Sequence, residues 1–433
     1  MAEGPTGGND VRGVLPPVHE SLLPSAHPLY RPRHAGRQLL ALVCAAVFFT
    51  APVLAMALGA RQAEFENRKL TEFPGLAQGW GFLTGLTPWA ADNLPFRADA
   101  LAAADWVSRE LFGEPPAFDR AGPDVGVLPP AGPGEREDPE ALAVPDVIEG
   151  DDGWLYLGDD IVSRCDQAQP VDETIARLRA LRDGVERSGR RFVLIVGPDK
   201  TTVVPEYLPD HYVGQACAEE VADELWRRLT ELDAVDLRDE LRAWGERLGR
   251  PVYPRLDAHW SDEGGIVLTN RLAQAVEPGV SEGWKIDPVG SWETSADLPP
   301  LIGRSGLAQG HTYALRPDGR TDLTRDLPFE FASPVRMDTA SGPGTVDTSV
   351  GYLGDSFTLR ALRYLAAVFG DLTALHYGEV GRDAGRSAGR MLAEHEVVAV
   401  QIVERTLASG NSVLLDPEVV DGITAELAAR PLR

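Results

Sequence analysis

The sequence predicts an α/β domain built on a mostly parallel sheet, with one membrane-spanning helix ahead of it. Three observations carry that reading. From about residue 149 onward, short apolar segments of strand length alternate with helical patterns, as in a parallel sheet covered on both faces. Leu39–Leu58 (LLALVCAAVFFTAPVLAMAL) carries no charge over about 20 residues, the thickness of a hydrocarbon core. The chain has 433 residues, 43% of them hydrophobic, which is enough for a sizeable core.

Taken from the N-terminus, residues 1–36 are rich in Pro and Gly and read as a disordered cytoplasmic tail. The anchor occupies 37–60. Arg31, Arg33 and Arg37 precede the apolar run, whereas Arg61, Glu64, Glu66 and Arg68 follow it. The cationic excess therefore lies on the N-terminal side, which orients the tail inward and the rest of the chain outside. Pro52 would kink a soluble helix but is tolerated in a membrane span. Residues 61–113 have helical apolar spacing in WAADNLPFRADALAAADWVSRELFG and read as a helical lead-in. Residues 114–148, dense in Pro, Gly and acidic side chains, read as a flexible insertion.

The domain proper spans 149–433. DGWLYL is a strand candidate, VDETIARLRALRDGVERSG an amphipathic helix and RFVLIV a buried strand. A helix near 218–232 leads to the short strand AVDL and the helix RDELRAWGERLG. SDEGGIVLTNRLAQAV is a helix with Ser261 as its N-cap and acidic residues in its first turn. Residues 277–345 show no period and are an irregular excursion, either a lid or a small β element. TSVGYL, LTALHY and EVVAVQIV follow as strands, with TLRALRYLAAVFG as a helix. Ligands in such sheets bind beyond the carboxyl ends of the strands.

Charge narrows the function classes. Lys plus Arg is 41 and Asp plus Glu 66, a net −25, which argues against a nucleic-acid backbone as partner. Three cysteines are present, and Cys44 sits in the apolar run. Cys165 and Cys217 are left as one candidate pair: bridged if the domain is extracytoplasmic, separate thiols otherwise. No CxxC or Cys/His spacing for zinc appears, so no metal or cofactor is expected.

GYLGDSFT (351–358) ends an apolar strand at Gly354, Asp355 and Ser356 and begins a helix at once. That geometry sets the Ser356 hydroxyl at the sheet edge beside free N–H groups able to hold an oxyanion. Helix capping by Asp355 or Ser356 is the plain alternative. A serine nucleophile needs a base. His19, His27 and His34 lie before the anchor, leaving His211, His259, His311, His376 and His395. Of these, His259 stands in a compact polar cluster, LDAHWSDEG (256–264). In extended chain Asp257 and His259 share a face, as orienter and base of a serine triad would. Asp257 and His259 could also be metal ligands, but no third ligand shows at a recognisable spacing.

With these residues in view, the chain resembles the AlgJ/AlgX-type SGNH-like acetyltransferases of exopolysaccharide biosynthesis. The resemblance rests on GDSF, DxHW, DGWLYL, GPDKTTVVPEYLP, the lead-in ENRKL…DNLPFRADAL and the closing VVAVQIVERTL. It covers roughly residues 64–406, apart from the insertion. It implies a three-layer SGNH-like sandwich and a triad in the chain order Asp257, His259, Ser356, with the Ser356 N–H as an oxyanion donor. No GxND block is evident, which leaves the second donor open. Lys200 and His376 stand at strand ends where they could line a substrate, or serve structure alone. Trp260 is expected to support the His259 loop, and Glu404 and Arg405 to pair with each other at a strand end, with a role for Arg405 in lining or orienting the site as the alternative. What the resemblance implies is an extracytoplasmic O-acetyltransferase acting on a polysaccharide and fed by a membrane-embedded acyltransferase. A carbohydrate acetylesterase and a non-catalytic polysaccharide-binding protein are the alternatives.

Overall fold

The computed structural model describes residues 144–327 and 331–432, with residues 40–47, 50, 51, 54, 75, 82 and 89 of the N-terminal part. The chain divides into two units, Met1–Ala63 with Leu70–Phe96, and Glu64–Lys69 with Arg97–Arg433. In the first, residues 40–47, 50, 51 and 54 are helical and exposed. Among the described residues, no helix is long and apolar enough to cross a membrane. The expected tail lies outside the described residues. So do the lead-in, apart from residues 75, 82 and 89, and the insertion up to residue 143.

A short antiparallel pair, β1 (Val147–Glu149) and β2 (Leu155–Leu157), opens the described part of the second unit. β1 thus falls within the stretch read as a flexible insertion: its two apolar residues, Val147 and Ile148, are buried. The main sheet has six strands in the order β4–β3–β10–β8–β9–β7. They are β3 (Arg191–Gly197), β4 (Val235–Asp236), β7 (Val335–Met337), β8 (Val350–Gly354), β9 (Leu372–His376) and β10 (Val397–Val403). All neighbours are parallel except β7, which runs antiparallel to β9.

Period-two alternation explains the layers. In β3, Val193 and Ile195 pack on one face with Leu241 of α5 (Arg238–Leu248), Ile266 of α6 (Asp262–Val276) and Leu365 of α7 (Leu362–Val368). Leu194 and Val196 face the other way. They meet Leu178 of α2 (Val171–Arg187), Leu225 of α4 (Gln215–Thr230), Leu392 of α8 (Arg386–Leu392) and Ile423 of α10 (Pro417–Ala428). Strands buried on both faces read as nearly continuous apolar runs, which is why RFVLIV and VVAVQIV stand out in the sequence despite Arg191 and Gln401. A disulfide joins Cys165, at the end of α1 (Asp159–Cys165), to Cys217 in α4.

The segment 277–345 is more ordered than its composition implies. It contains an antiparallel hairpin, β5 (Lys285–Ser295) with β6 (Leu307–Arg316), as well as β7. β5 is exposed along most of its length, so no apolar alternation marks it, and its register shifts between Pro288 and Gly290. Ser261 does occupy the N-cap of α6, but its hydroxyl donates to the Val252 carbonyl (2.8 Å) and to the Glu263 carboxylate instead of accepting from the helix.

Candidate active site

Three neighbouring strands end together at the carboxyl edge. β3 runs into Pro198, Asp199 and Lys200, β8 into Asp355 and Ser356, and β10 into Glu404 and Arg405. Gly354 is required just before the turn: a Cβ there would lie 2.2 Å from the Thr358 hydroxyl and 2.6 Å from the Tyr352 ring. Asp355 then points inward. Its carboxylate accepts from Phe357 N (3.0 Å), Val403 N (2.8 Å) and the Tyr377 hydroxyl (3.3 Å), locking the β8 turn to the end of β10. A single 3₁₀ turn, Ser356–Arg360, follows in place of an immediate α-helix. Phe357 N–H and Thr358 N–H are both taken up by Asp355, whereas the Ser356 N–H has no acceptor among the described residues and is left for an oxyanion.

His259 reaches Ser356 from the loop before α6. Its Nε2 lies 3.0 Å from Ser356 Oγ, a hydrogen bond across 97 residues of chain. On the other side of the ring, Nδ1 lies 3.2 Å from Asp257 Oδ1 and 2.9 Å from Asp297 Oδ2. Asp257 also accepts the His259 backbone N–H (2.9 Å), and Asp297 accepts that of Ala258 (2.9 Å). Two carboxylates thus share one imidazole N–H. Asp297, in the connection between β5 and β6, was missed by sequence reasoning. It lies in the unpatterned segment 38 residues beyond His259, with no local motif to flag it.

The electrostatics follow from this arrangement. Burial alone would lower His259, but hydrogen bonds to Asp257 and Asp297, with their charges, push it up to about 10. Burial would raise Asp257, yet the His259 ring and backbone hold it below the usual carboxylate range. Asp297 goes the other way, raised by burial and by the Asp257 charge against the pull of His259. At neutral pH the resting proton therefore sits on the imidazole. Ligand atoms of Asp257, His259 and Asp297 lie within 4.8 Å of one another, a spacing a cation could also use. The ring proton and the nearby Lys200 ammonium already compensate these carboxylates, which favours the triad over a metal site.

The remaining expected site residues serve as supports. Trp260 is buried and donates to the Phe357 carbonyl (2.9 Å), bracing the His259 loop against the Ser356 turn. Lys200 is buried as well, 1% exposed, and so cannot line a substrate; its Nζ donates to backbone carbonyls. His376 Nδ1 accepts from Gly378 N (3.0 Å). Glu404 accepts from Trp226 Nε1 and Asp199 N and pairs with Arg164, while Arg405 pairs with Asp199 (3.1 Å) and Asp160 (3.6 Å). Both open the helix Glu404–Ser409 and join one buried cluster centred on Asp199. A cavity of about 820 Å³ opens beside the same loop, lined by residues including Trp154, Tyr253, Arg255, Trp292 and His311.

Comparison with known proteins agrees with the sequence motifs. Residues 147–306 match the family described as SGNH hydrolase-like domain, acetyltransferase AlgX. The chain is 28% identical over 230 residues to a probable alginate O-acetylase AlgJ of Pseudomonas syringae pv. tomato, covering 49% of this chain and 54% of that one. It is 29% identical over 141 residues to the probable alginate O-acetylase AlgJ of Pseudomonas putida, covering 30% and 34%. The chain therefore spans about half the length of the first of these relatives and about a third of the second. Among solved structures, the O-acetyltransferase domain of Pseudomonas putida AlgJ aligns over 65% of this chain and 99% of that one, at 19% identity and TM-score 0.42. Pseudomonas aeruginosa AlgX aligns over 61% and 66%, at 14% identity and TM-score 0.40. Through residues 147–306 and the stretches shared with the AlgJ relatives, this chain is similar to the AlgX/AlgJ family of SGNH hydrolase-like acetyltransferases.

Proposed function

We propose that the chain is an extracytoplasmic O-acetyltransferase that moves an acetyl group onto hydroxyls of a polysaccharide through an acyl-enzyme on Ser356. The observation that carries this reading is the contact of His259 Nε2 with Ser356 Oγ at 3.0 Å, with the opposite ring nitrogen held on two carboxylates. In its neutral form His259 takes the Ser356 proton while Oγ adds to the acetyl carbonyl of the donor. The Ser356 N–H holds the oxyanion. Collapse breaks the donor ester bond, and His259 returns the proton to the leaving oxygen. His259 next removes a proton from a sugar hydroxyl, which attacks the acetyl-serine and releases Ser356. No step calls for a metal or cofactor.

The relatives' names support an alginate-like acceptor. The uncharged run Leu39–Leu58 supports a single-pass anchor with its N-terminus inside, and the Cys165–Cys217 disulfide supports an oxidising compartment for the domain. In that compartment the acetyl group would be delivered by a membrane-embedded acyltransferase. The test uses the full-length chain and its Ser356→Ala variant with 4-nitrophenyl acetate and a panel of oligosaccharides, read by mass spectrometry. Acetyl on Ser356 and on sugar, both lost in Ser356→Ala, is the expected result. Acetate release without sugar product would make the chain an esterase. Equal background from both proteins would remove the triad.

A further inference from the structure

Lys200 opens α3 (Lys200–Val203), directly beyond β3, and is 1% exposed. Its Nζ lies 2.8 Å from the Leu155 carbonyl, 2.8 Å from Pro254, 2.9 Å from Arg255 and 3.1 Å from Asp257. Three of these four carbonyls belong to a single irregular turn, whose next residues are Ala258 and His259. On its other side the ammonium stands over the rings of Trp154 (4.9 Å) and Tyr156 (5.2 Å). Three carbonyls of one turn converging on a point would repel one another unless a cation sat between them.

We propose that Lys200 is a positioning residue for the His259–Ser356 pair: its ammonium sets the Pro254–Asp257 turn and with it the reach of His259 to Ser356. This rests on the acyl-transfer reading above. A lysine suits the place because its ammonium is a compact point charge with three donors; a planar guanidinium spreads its donors in a fork. The charged groups that face it are Asp257, Asp297 and Asp160. Burial pulls Lys200 down to about 7, and those carboxylates oppose the pull. Lys200 therefore also offsets the two carboxylates that keep the proton on His259.

The two roles separate in one experiment on the full-length wild type, Lys200→Met and Lys200→Arg. Pre-steady-state acylation by 4-nitrophenyl acetate is followed against pH. The His259 ring is titrated by NMR with ¹³C-labelled histidine, assigned through His259→Gln. In Lys200→Met the acylation rate should fall at least about tenfold with little change in KM. The His259 titration and the acid limb should both move to higher pH, because the carboxylates lose their counter-charge. Mere loosening of the turn would weaken the imidazolium's bonds and move the titration down. Lys200→Arg should keep the titration near wild type and still acylate slowly. Wild-type rate and titration in Lys200→Met overturn the proposal. Should Lys200→Met not fold, Lys200→Arg decides: a slow rate with an unmoved titration supports it, and a wild-type rate overturns it. Should the wild type form no acyl-enzyme, the acyl-transfer reading fails. The NMR shift in Lys200→Met then decides alone, upward in support and unmoved or downward against.

Discussion

At opposite ends of β3 the chain buries a cation and seats it on backbone carbonyls. At the amino end Arg190 donates to the carbonyls of His395 (2.9 Å), Ala393 (2.6 Å) and Arg430 (2.8 Å) and to the Ser188 hydroxyl (3.0 Å). At the carboxyl end Lys200 holds Leu155, Pro254, Arg255 and Asp257. The two differ in what the carbonyls belong to. Ala393 caps the end of α8 and Arg430 follows α10, so Arg190 satisfies orphan groups of two whole helices and fastens them to the sheet. Lys200 holds a bare turn that leads into the triad. One device thus anchors secondary structure at one edge and aims chemistry at the other. Only at the carboxyl edge should its loss be felt in rate before stability.

The largest effect that tests this contrast is at the nucleophile. Ser356→Ala should lower acyl transfer by roughly 10³-fold or more while leaving the melting temperature within a degree or two, since one hydroxyl contact is lost. Arg190→Met should show the reverse. Orphaning three buried carbonyls should cost on the order of 3 kcal/mol in urea titration, with wild-type kcat for the fraction still folded. A fall in kcat there would blur the distinction between the edges. Asp297→Asn comes next. With one carboxylate neutralised, His259 should release its proton more easily, and the acid limb of the pH–rate profile should fall by about 1–3 units. An unmoved limb would leave Asp257 as the sole orienter.

The smallest effect pairs two histidines, one from each edge. His259 is raised in the fold, so its contribution to stability is full below the unfolded value of 6.5 and is lost as pH rises towards about 10. His395 is 3% exposed, and neither ring nitrogen has a hydrogen-bond partner among the described residues; burial lowers it. Its penalty is absent above 6.5 and grows as pH falls below that value. His259→Gln should therefore flatten the alkaline side of a stability–pH curve, and His395→Leu the acid side. Denaturant midpoints across pH 4–10 would read both (pH range on the order of the unfolded histidine value and its flanks).

How much of this could be read from sequence follows from burial. RFVLIV and VVAVQIV lie between two helical layers, so nearly every position apart from Arg191 and Gln401 is apolar and the strands announce themselves. Asp257 and His259 are two residues apart, and Ser356 ends a strand, so the triad's members could be named before their meeting was seen. Asp297 could not be named. It follows an exposed strand with no apolar period and reaches His259 only through the tertiary fold. Lys200 was noticed but left open between lining a substrate and serving structure, because a single lysine after a strand carries no sign of which way it turns. Glu404 and Arg405 looked like a pair because they are neighbours in sequence; their partners, Asp199, Arg164 and Trp226, come from other elements.

The main sheet tapers. Its inner strands β3 and β10 have seven residues each, and its margins, β4 and β7, have two and three. An open row of peptide groups at a sheet margin is a template on which a second chain can add. Here that row is only a turn's length on either side. The main sheet therefore has little backbone on offer for strand-to-strand aggregation, in contrast to the long, largely exposed β5 of the hairpin.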